Sequence, residues 1–311
     1  MTYKTKQINR PAVNPLKNSS TIAITAYCDL DTKPERRPLW GDYWIKQRME
    51  AEFVRQGLRI DNSRPEVLIH LFGSHMNNLP RAPVKILWIH SHPDRVGPDL
   101  LANYNIIYCI SKPYIEKIRQ MGFKAEWLML PTHMKPITYE KKLHNTVFVG
   151  NNRRNGQRKL AQDLLAVKDR LGSSLSIWGN GWNSDITTSG WYRGPQYPNN
   201  KLNELYSTSK IVLNDHHHDM SREGFINPRI LDALAAGAMV ISDPVKNLEN
   251  LVDIPTYQSP ENLARLINHY LDNETLRNKI VSAARTRIKD LTYRQTIKKI
   301  IDRLKEGPLS K

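Results

Sequence analysis

Two cysteines in 311 residues are too few for a disulfide framework or a thiolate zinc site. Cys28 and Cys109 fall in the apolar runs TIAITAYC and YNIIYCIS, which predicts buried free thiols. Long hydrophobic runs are also missing: none approaches the roughly 18 residues of a membrane-spanning helix. The opening MTYKTKQINR is basic with no apolar segment behind it, so no secretory leader is expected. Repeats and low-complexity tracts are absent as well, which excludes solenoids and argues against long disordered arms. The expectation is a cytoplasmic globular protein.

Acid is scarce relative to base, with 30 acidic against 46 basic side chains and a net charge of +16. Divided at residue 138, each part carries an excess of +8. So even a spread speaks against a detachable basic arm, and nucleic acid is not the expected partner. It suits a protein that handles anionic small ligands, or one that rests peripherally on the anionic inner face of a membrane.

The length suits two domains of roughly 150 residues. Apolar strand-like runs alternate with helical patterns: TIAITAYC, an amphipathic stretch from Tyr43 to Gln56, then EVLIHLF, VKILWIHS, NIIYCIS and KPYIEKIRQMGF. The second part repeats the plan with HNTVFVG, QRKLAQDLLAVKDRLG, LSIWGNGW, NKLNELYSTS, KIVLND and AMVISD. Such alternation predicts an α/β protein with parallel sheets and helices on both faces, in two Rossmann-like domains. Pro, Lys and polar residues interrupt the pattern at PTHMKPITYEKKLHN, so the predicted domains are 1–138 and 139–290. Residues 291–311 read as a final helix that packs back on the first domain. Folds of this kind bind ligands at the carboxyl ends of their strands, in a cleft.

The stretch NDHHHDMSREGFINPRILDALAAG, residues 214–237, concentrates the chemistry. Asn227 and Pro228 spell the cap and first position of a helix, and Gly237 its end. Ile230, Leu231, Leu234 and Ala235 form its core stripe, while Arg229 and Asp232 share the other face. A helix start offers N–H groups and partial positive charge to a phosphate. Gly224 leaves room for backbone to approach a ligand. Glu223, in the turn before the helix, is expected to accept from sugar hydroxyls and to carry no packing. Asp232 is suited to the two hydroxyls of a ribose. The plain alternative is a capped helix with a surface salt bridge. His216, His217 and His218 alternate faces in extended chain and have no second ligand cluster, so no metal site is expected. One of them touching a substrate is the more natural reading.

LNDHHHDMSREGFINPRILDALAAGAMVISD resembles the donor-binding segment of GT-B glycosyltransferases, in the CgeB-like branch related to glycosyltransferase families 1 and 4. Those carry an acid-Gly-Phe turn, here Glu223, Gly224 and Phe225, and then NxRxF(D/E)ALAxGAxVISD. VFVGNNRRNGQR, SIWGNGW and KLNELYSTSKIVLND are similar to the family's preceding signatures, in the same order. PLWGDYWIKQRMEAEFVRQG and LWIHSHPDRV resemble its N-terminal domain. Retaining members usually space two glutamates by seven residues. Here eight residues separate Glu223 from Asp232, and the second acid is an aspartate.

The resemblance implies a GT-B enzyme whose C-terminal domain holds a nucleotide-diphosphate sugar and whose N-terminal domain holds the acceptor. Gly150 permits a tight strand exit, and Arg153, Arg154 and Arg158 follow it; by family position Arg154 and Arg158 grip the diphosphate. Gly179, in WGNGW, falls where relatives place the nucleotide base, and Trp178 and Trp182 are core residues or stacking platforms. In the first domain Gly41 lets a loop reach the sugar. Asp42 is either an acceptor-side base or the cap of its helix. His90 and His92, two apart at a strand end, face one side, to touch sugar or phosphate or to serve the core. No cofactor is expected beyond the sugar nucleotide as co-substrate. The expected reaction is metal-independent and retaining, onto a glycan, lipid-linked or small-molecule hydroxyl. If it inverts, a base is required, and Asp42 or His92 is the candidate. The competing readings are a catalytically silent nucleotide-binding scaffold and a nucleic-acid-binding or nucleic-acid-modifying protein.

Overall fold

The computed structural model describes residues 20–73, 76, 79–152, 158–172 and 174–306. The strands are β1 (Thr21–Thr25), β2 (Arg59–Ile60), β3 (Val67–Phe72), β4 (Val84–Ile89), β5 (Ile106–Cys109), β6 (Glu126–Trp127), β7 (His144–Val149), β8 (Leu175–Trp178), β9 (Tyr192–Gly194), β10 (Ser209–Asn214) and β11 (Met239–Ser242). The α-helices of six residues or more, among the described residues, are α1 (Gly41–Arg55), α2 (Lys112–Gln120), α3 (Lys159–Ala166), α4 (Leu202–Ser207), α5 (Pro228–Ala236), α6 (Pro260–Asp272), α7 (Glu274–Ile288) and α8 (Tyr293–Lys305). They divide into two compact units.

The first unit runs to Pro131 and takes in Glu223–Phe225 and the chain from Leu291 onward. Its sheet has the order β2-β1-β3-β4-β5-β6, every pair parallel. All six residues of β3, VLIHLF, are buried, as a strand covered on both faces requires. Its one polar member, His70, meets the Tyr104 hydroxyl through Nδ1 at 2.5 Å. α8 begins at Thr292, whose hydroxyl accepts from Gln295 N–H, and buries Ile297, Ile300, Ile301 and Leu304 along one stripe. Polar contacts fix it at two places. Gln56 Nε2 donates to the Arg294 carbonyl at 3.0 Å, and Arg303 Nε meets Glu126 Oε1 of β6 at 2.9 Å.

The second unit, Thr132–Arg222 and Ile226–Asp290, has the sheet order β11-β10-β7-β8-β9, again all parallel. Its core joins Phe148 and Ile177 of the strands to Leu160 and Leu164 of α3 and Leu263 of α6. α5 begins and ends where the sequence places it. The Asn227 side chain accepts from Arg229 N–H at 3.0 Å, Pro228 fills the first position, and Gly237 closes the helix at φ 93°. Its buried face shifts from the expected stripe: Ala233 and Ala236 join Ile230, Leu231 and Leu234, and Ala235 does not. Parallel strands put Gly150, Gly179, Asp215 and Asp243 at one edge of this sheet, each the residue after its strand.

Candidate functional site

Two glycines shape that edge. A Cβ on Gly179, at φ 145°, would stand 2.0 Å from the Gly150 carbonyl oxygen. A Cβ on Gly150 would come within 2.9 Å of Arg229 Nη2 and Phe148 Cζ. Only bare backbone lets the loops after β7 and β8 meet and the Arg229 guanidinium lie over them. Phe148 supplies a ring face to both arginines, with Arg229 Cζ 4.9 Å and Arg158 Cζ 5.5 Å from its centroid.

Around Arg229 the hydrogen bonds close into a ring. Arg229 Nη1 donates to Asn214 Oδ1 at 2.9 Å, and Asn214 Nδ2 donates to Ser242 Oγ at 2.9 Å. Ser242 Oγ donates to Asp243 Oδ1 at 3.2 Å, which also meets His216 Nδ1 at 2.6 Å. His216 Nε2 accepts from Asn227 N–H at 3.0 Å, and Asn227 caps the amide of Arg229. The first-turn amides of α5 are therefore engaged within the protein: Pro228 has none, Arg229 N–H goes to the Asn227 side chain and Ile230 N–H to the Asn227 carbonyl. This corrects the expectation of open N–H groups at the helix start. His216 likewise has a structural partner on each ring nitrogen.

Arg229 and Asp232 are both half-buried, not the two ends of an exposed surface bridge. Arg229 donates to the Asn214 side chain and meets the Tyr206 hydroxyl; burial pushes its pKa down, opposed by Tyr206 and by the nearby Asp215 carboxylate. Asp232 Oδ1 accepts from Thr132 Oγ1 at 2.6 Å. Arg158 is not an open grip for a ligand either. Its guanidinium is 6% exposed, bound through Nη1 to Asp215 Oδ1, with Nε donating to the Asn151 carbonyl at 2.7 Å. Burial raises the Asp215 carboxyl above its ordinary range, opposed by Arg158, and its Oδ2 has no partner among the described residues. Arg153 and Arg154 lie outside the described residues.

In the first unit the acid-Gly-Phe turn is packed, not free. Glu223 is buried and its carboxylate meets Lys117 Nζ at 2.5 Å, while its carbonyl accepts from Ser111 Oγ at 2.6 Å. The expectation that nothing packs on Glu223 is overturned. Gly224 adopts φ 72°, and a Cβ there would press on Pro113 Cγ at 3.0 Å, so α2 itself demands this glycine. Phe225 is fully buried, edge-on to Tyr114 at 5.3 Å. Tyr114 in turn donates to the Pro93 carbonyl at 2.7 Å, beside His92.

His92 takes a left-handed conformation, φ 52°, uncommon outside glycine and often a mark of a functional turn. Its Nδ1 is 3.8 Å from Asp94 Oδ1. His90 packs against Gly73 and Ser91, with Nε2 sealed and unpartnered among the described residues. Burial, reinforced by His92, pushes its pKa down to about 4. The neutral form is favoured in the folded state, so the stability it contributes is present above about pH 6.5 and is lost as pH falls through 4. Urea unfolding at pH 7 and pH 5 is expected to show an acid loss that the His90→Asn variant reduces; an equal loss in both would show that another group controls it.

Asp42 is not the helix cap. Trp40 occupies that position without a side-chain bond, and Asp42 sits in the first turn of α1. Its Oδ2 accepts from Cys28 N–H at 2.9 Å, and burial raises its pKa. Gly41 starts α1, where a Cβ would meet nothing within 4 Å, so no local packing requires glycine there. Cys28 and Cys109 are free and buried, as expected, with both thiols pushed up to about 12 by burial. Sequence reading missed Lys117, Ser111, Thr132, Asn214 and Asp243. They reach the acid-Gly-Phe turn or the start of α5 only through the fold.

Two parallel-sheet α/β domains are also the fold of solved GT-B glycosyltransferases that this chain matches. Residues 153–302 match a family model described as glycosyl transferase-like. Among solved structures, the chain is similar to Anabaena HepE in complex with UDP-glucose, at 10% identity and TM-score 0.64, covering 92% of this chain and 99% of that one. It is also similar to an alpha-glucosyltransferase in complex with UDP-glucose and DNA containing an abasic site, at 10% identity and TM-score 0.60, covering 92% and 99%. With TarM the identity is 10% and the TM-score 0.55; the match covers 84% of this chain but spans only 58% of TarM. A search of curated proteins finds no match.

Proposed function

We propose that the protein is a glycosyltransferase of the CgeB-like branch, moving a sugar from a nucleotide-diphosphate donor to a hydroxyl of a glycan, lipid-linked or small-molecule acceptor. One observation carries this. Arg229, partly buried at the carboxyl edge of a parallel sheet, donates to Asn214 and lies beside Arg158, and the two guanidiniums share the charge of one buried carboxylate, Asp215, which Arg158 binds directly. Two desolvated cations against one carboxylate leave a positive charge that is costly until an anion reaches it, and a diphosphate is the anion this edge suits. The glycosyl transferase-like match and the UDP-glucose bound by HepE favour the same donor class.

In this reading Arg229, with Arg154, offsets the charge that develops on the departing diphosphate, and Gly150 and Gly179 let it approach the backbone. Asp232 receives the ribose and Glu223 the donor sugar's hydroxyls. Retention is proposed, with the donor phosphate guiding same-face attack; the raised carboxyl of Asp42 and His92 stand on the acceptor side. No divalent ion is required, because the fixed cations take its part. Purified protein screened against nucleotide sugars should show thermal stabilisation and slow donor hydrolysis with one or a few, undiminished by excess chelator. Absence of both with every donor would overturn the assignment; activity abolished by chelator and restored by Mg²⁺ or Mn²⁺ would overturn metal independence alone.

A further inference from the structure

We infer that Asp243 and His216 are positioning residues that set Arg229 for the nucleotide diphosphate, an inference that rests on the donor reading above. The Asn227 amide can only donate, so the His216 Nε2 it meets at 3.0 Å must be the lone-pair nitrogen. The proton therefore sits on Nδ1, where the Asp243 carboxylate receives it at 2.6 Å. Asp243 grips the same residue a second time, through Oδ2 and the His216 backbone N–H at 3.1 Å. One tautomer satisfies all three contacts. With the proton on Nε2, two N–H groups would face each other at the start of α5 and a bare nitrogen would face a carboxylate.

Asp243 reaches Arg229 by two routes. Through His216 and Asn227 it fixes the backbone of the first turn of α5. Through Ser242 and Asn214 it fixes the guanidinium itself. The pocket has little tolerance, because Gly150 has no Cβ only where Arg229 Nη2 passes and a shifted guanidinium would lose that approach. His216 thus serves the ligand without touching it, which also accounts for the first of the three histidines. Second-layer groups of this kind orient a binding residue and act on affinity more than on the chemical step.

Asp243→Asn is the sharper test, since it keeps the volume and removes one of the two oxygens that the relay needs. UDP binding by calorimetry, with GDP, ADP and CDP as further probes, is expected to weaken about tenfold in Asp243→Asn and in His216→Ala. Donor KM should rise by a similar factor while kcat stays within about threefold. His216→Gln, whose amide offers one donor and one acceptor, should recover part of the affinity. Nitrogen NMR of the histidines should show His216 protonated on Nδ1 in the parent and redistributed in Asp243→Asn. Unchanged UDP affinity in both variants, or a parental His216 protonated on Nε2, would overturn the relay and leave the donor assignment standing. If no probe binds the parent while the Nδ1 tautomer is present, the donor reading fails and takes the relay's purpose with it.

Discussion

Glu223→Gln is expected to reduce sugar transfer at least tenfold while nucleoside diphosphate affinity stays at the parental level. A decade in rate is 1.36 kcal/mol, well within what one charge-assisted hydrogen bond to a sugar hydroxyl supplies. Gln keeps the size and an acceptor oxygen but not the charge. The affinity should hold because the proposed partners are hydroxyls of the sugar, which UDP lacks. The buried setting adds a second consequence. The carboxylate is 7% exposed and lies 2.5 Å from Lys117 Nζ, whose side chain is 52% exposed, so the pair is half in water. Its loss should lower stability by no more than about 1 kcal/mol, since the freed Lys117 can remain hydrated. Lys117→Met separates the two effects. It breaks the same pair but leaves the carboxylate in place, and should retain most of the activity. Parental transfer in Glu223→Gln would remove the residue from the reaction, and equal losses in both variants would make it an anchor for α2.

The architecture was legible because parallel sheets write themselves as continuous apolar runs. EVLIHLF and VKILWIH became β3 and β4, and KIVLND became β10, each buried apart from Lys85 of β4 and Lys210 of β10. The limits of α5 were legible for a different reason: Asn227, Pro228 and Gly237 act through local backbone geometry, which sequence neighbours determine. Partnerships across the fold were not legible. Glu223 reads as a polar turn residue until α2 brings Lys117 to it from 106 positions earlier. Arg158 reads, by the resemblance, as a diphosphate grip until Asp215, the residue after β10 and 57 positions on, takes its guanidinium. The misreading of Asp42 was smaller in scale. Helix α1 starts at Gly41, two positions earlier than the amphipathic pattern suggests, which turns an expected cap into a first-turn residue. Pattern fixes elements and their ends; which charge faces which is decided only when the strands are ordered β11-β10-β7-β8-β9.

Arg158→Met is expected to be the most destabilising single change at this edge, by about 3–5 kcal/mol, the usual cost of stripping one partner from a buried ion pair. Asp215 is 1% exposed and has Arg158 as its ionic partner, with Oδ2 already lacking a hydrogen bond among the described residues. Without the guanidinium, the Asp215 carboxylate would stay in the sheet edge with only the weaker pull of Arg229, and the Asn151 carbonyl would lose its donor. Burial already raises the Asp215 carboxyl against the pull of Arg158, and removing that pull raises it further. A folded pKa above the unfolded value favours folding while the group is protonated and loses that contribution as pH climbs through the folded pKa. The variant's deficit should therefore be largest near pH 8 and shrink as pH falls toward the ordinary carboxyl range. Asp215→Asn in the same chain removes the charge at its source and should recover most of the loss at pH 8, giving a large coupling energy in the double-mutant cycle. Chemical unfolding of the two single variants and the double variant at pH 5 and pH 8 decides the matter. If the deficit is independent of pH and the double variant is no more stable than Arg158→Met, the side chain matters for packing against Phe148, and the pairing with Asp215 is incidental.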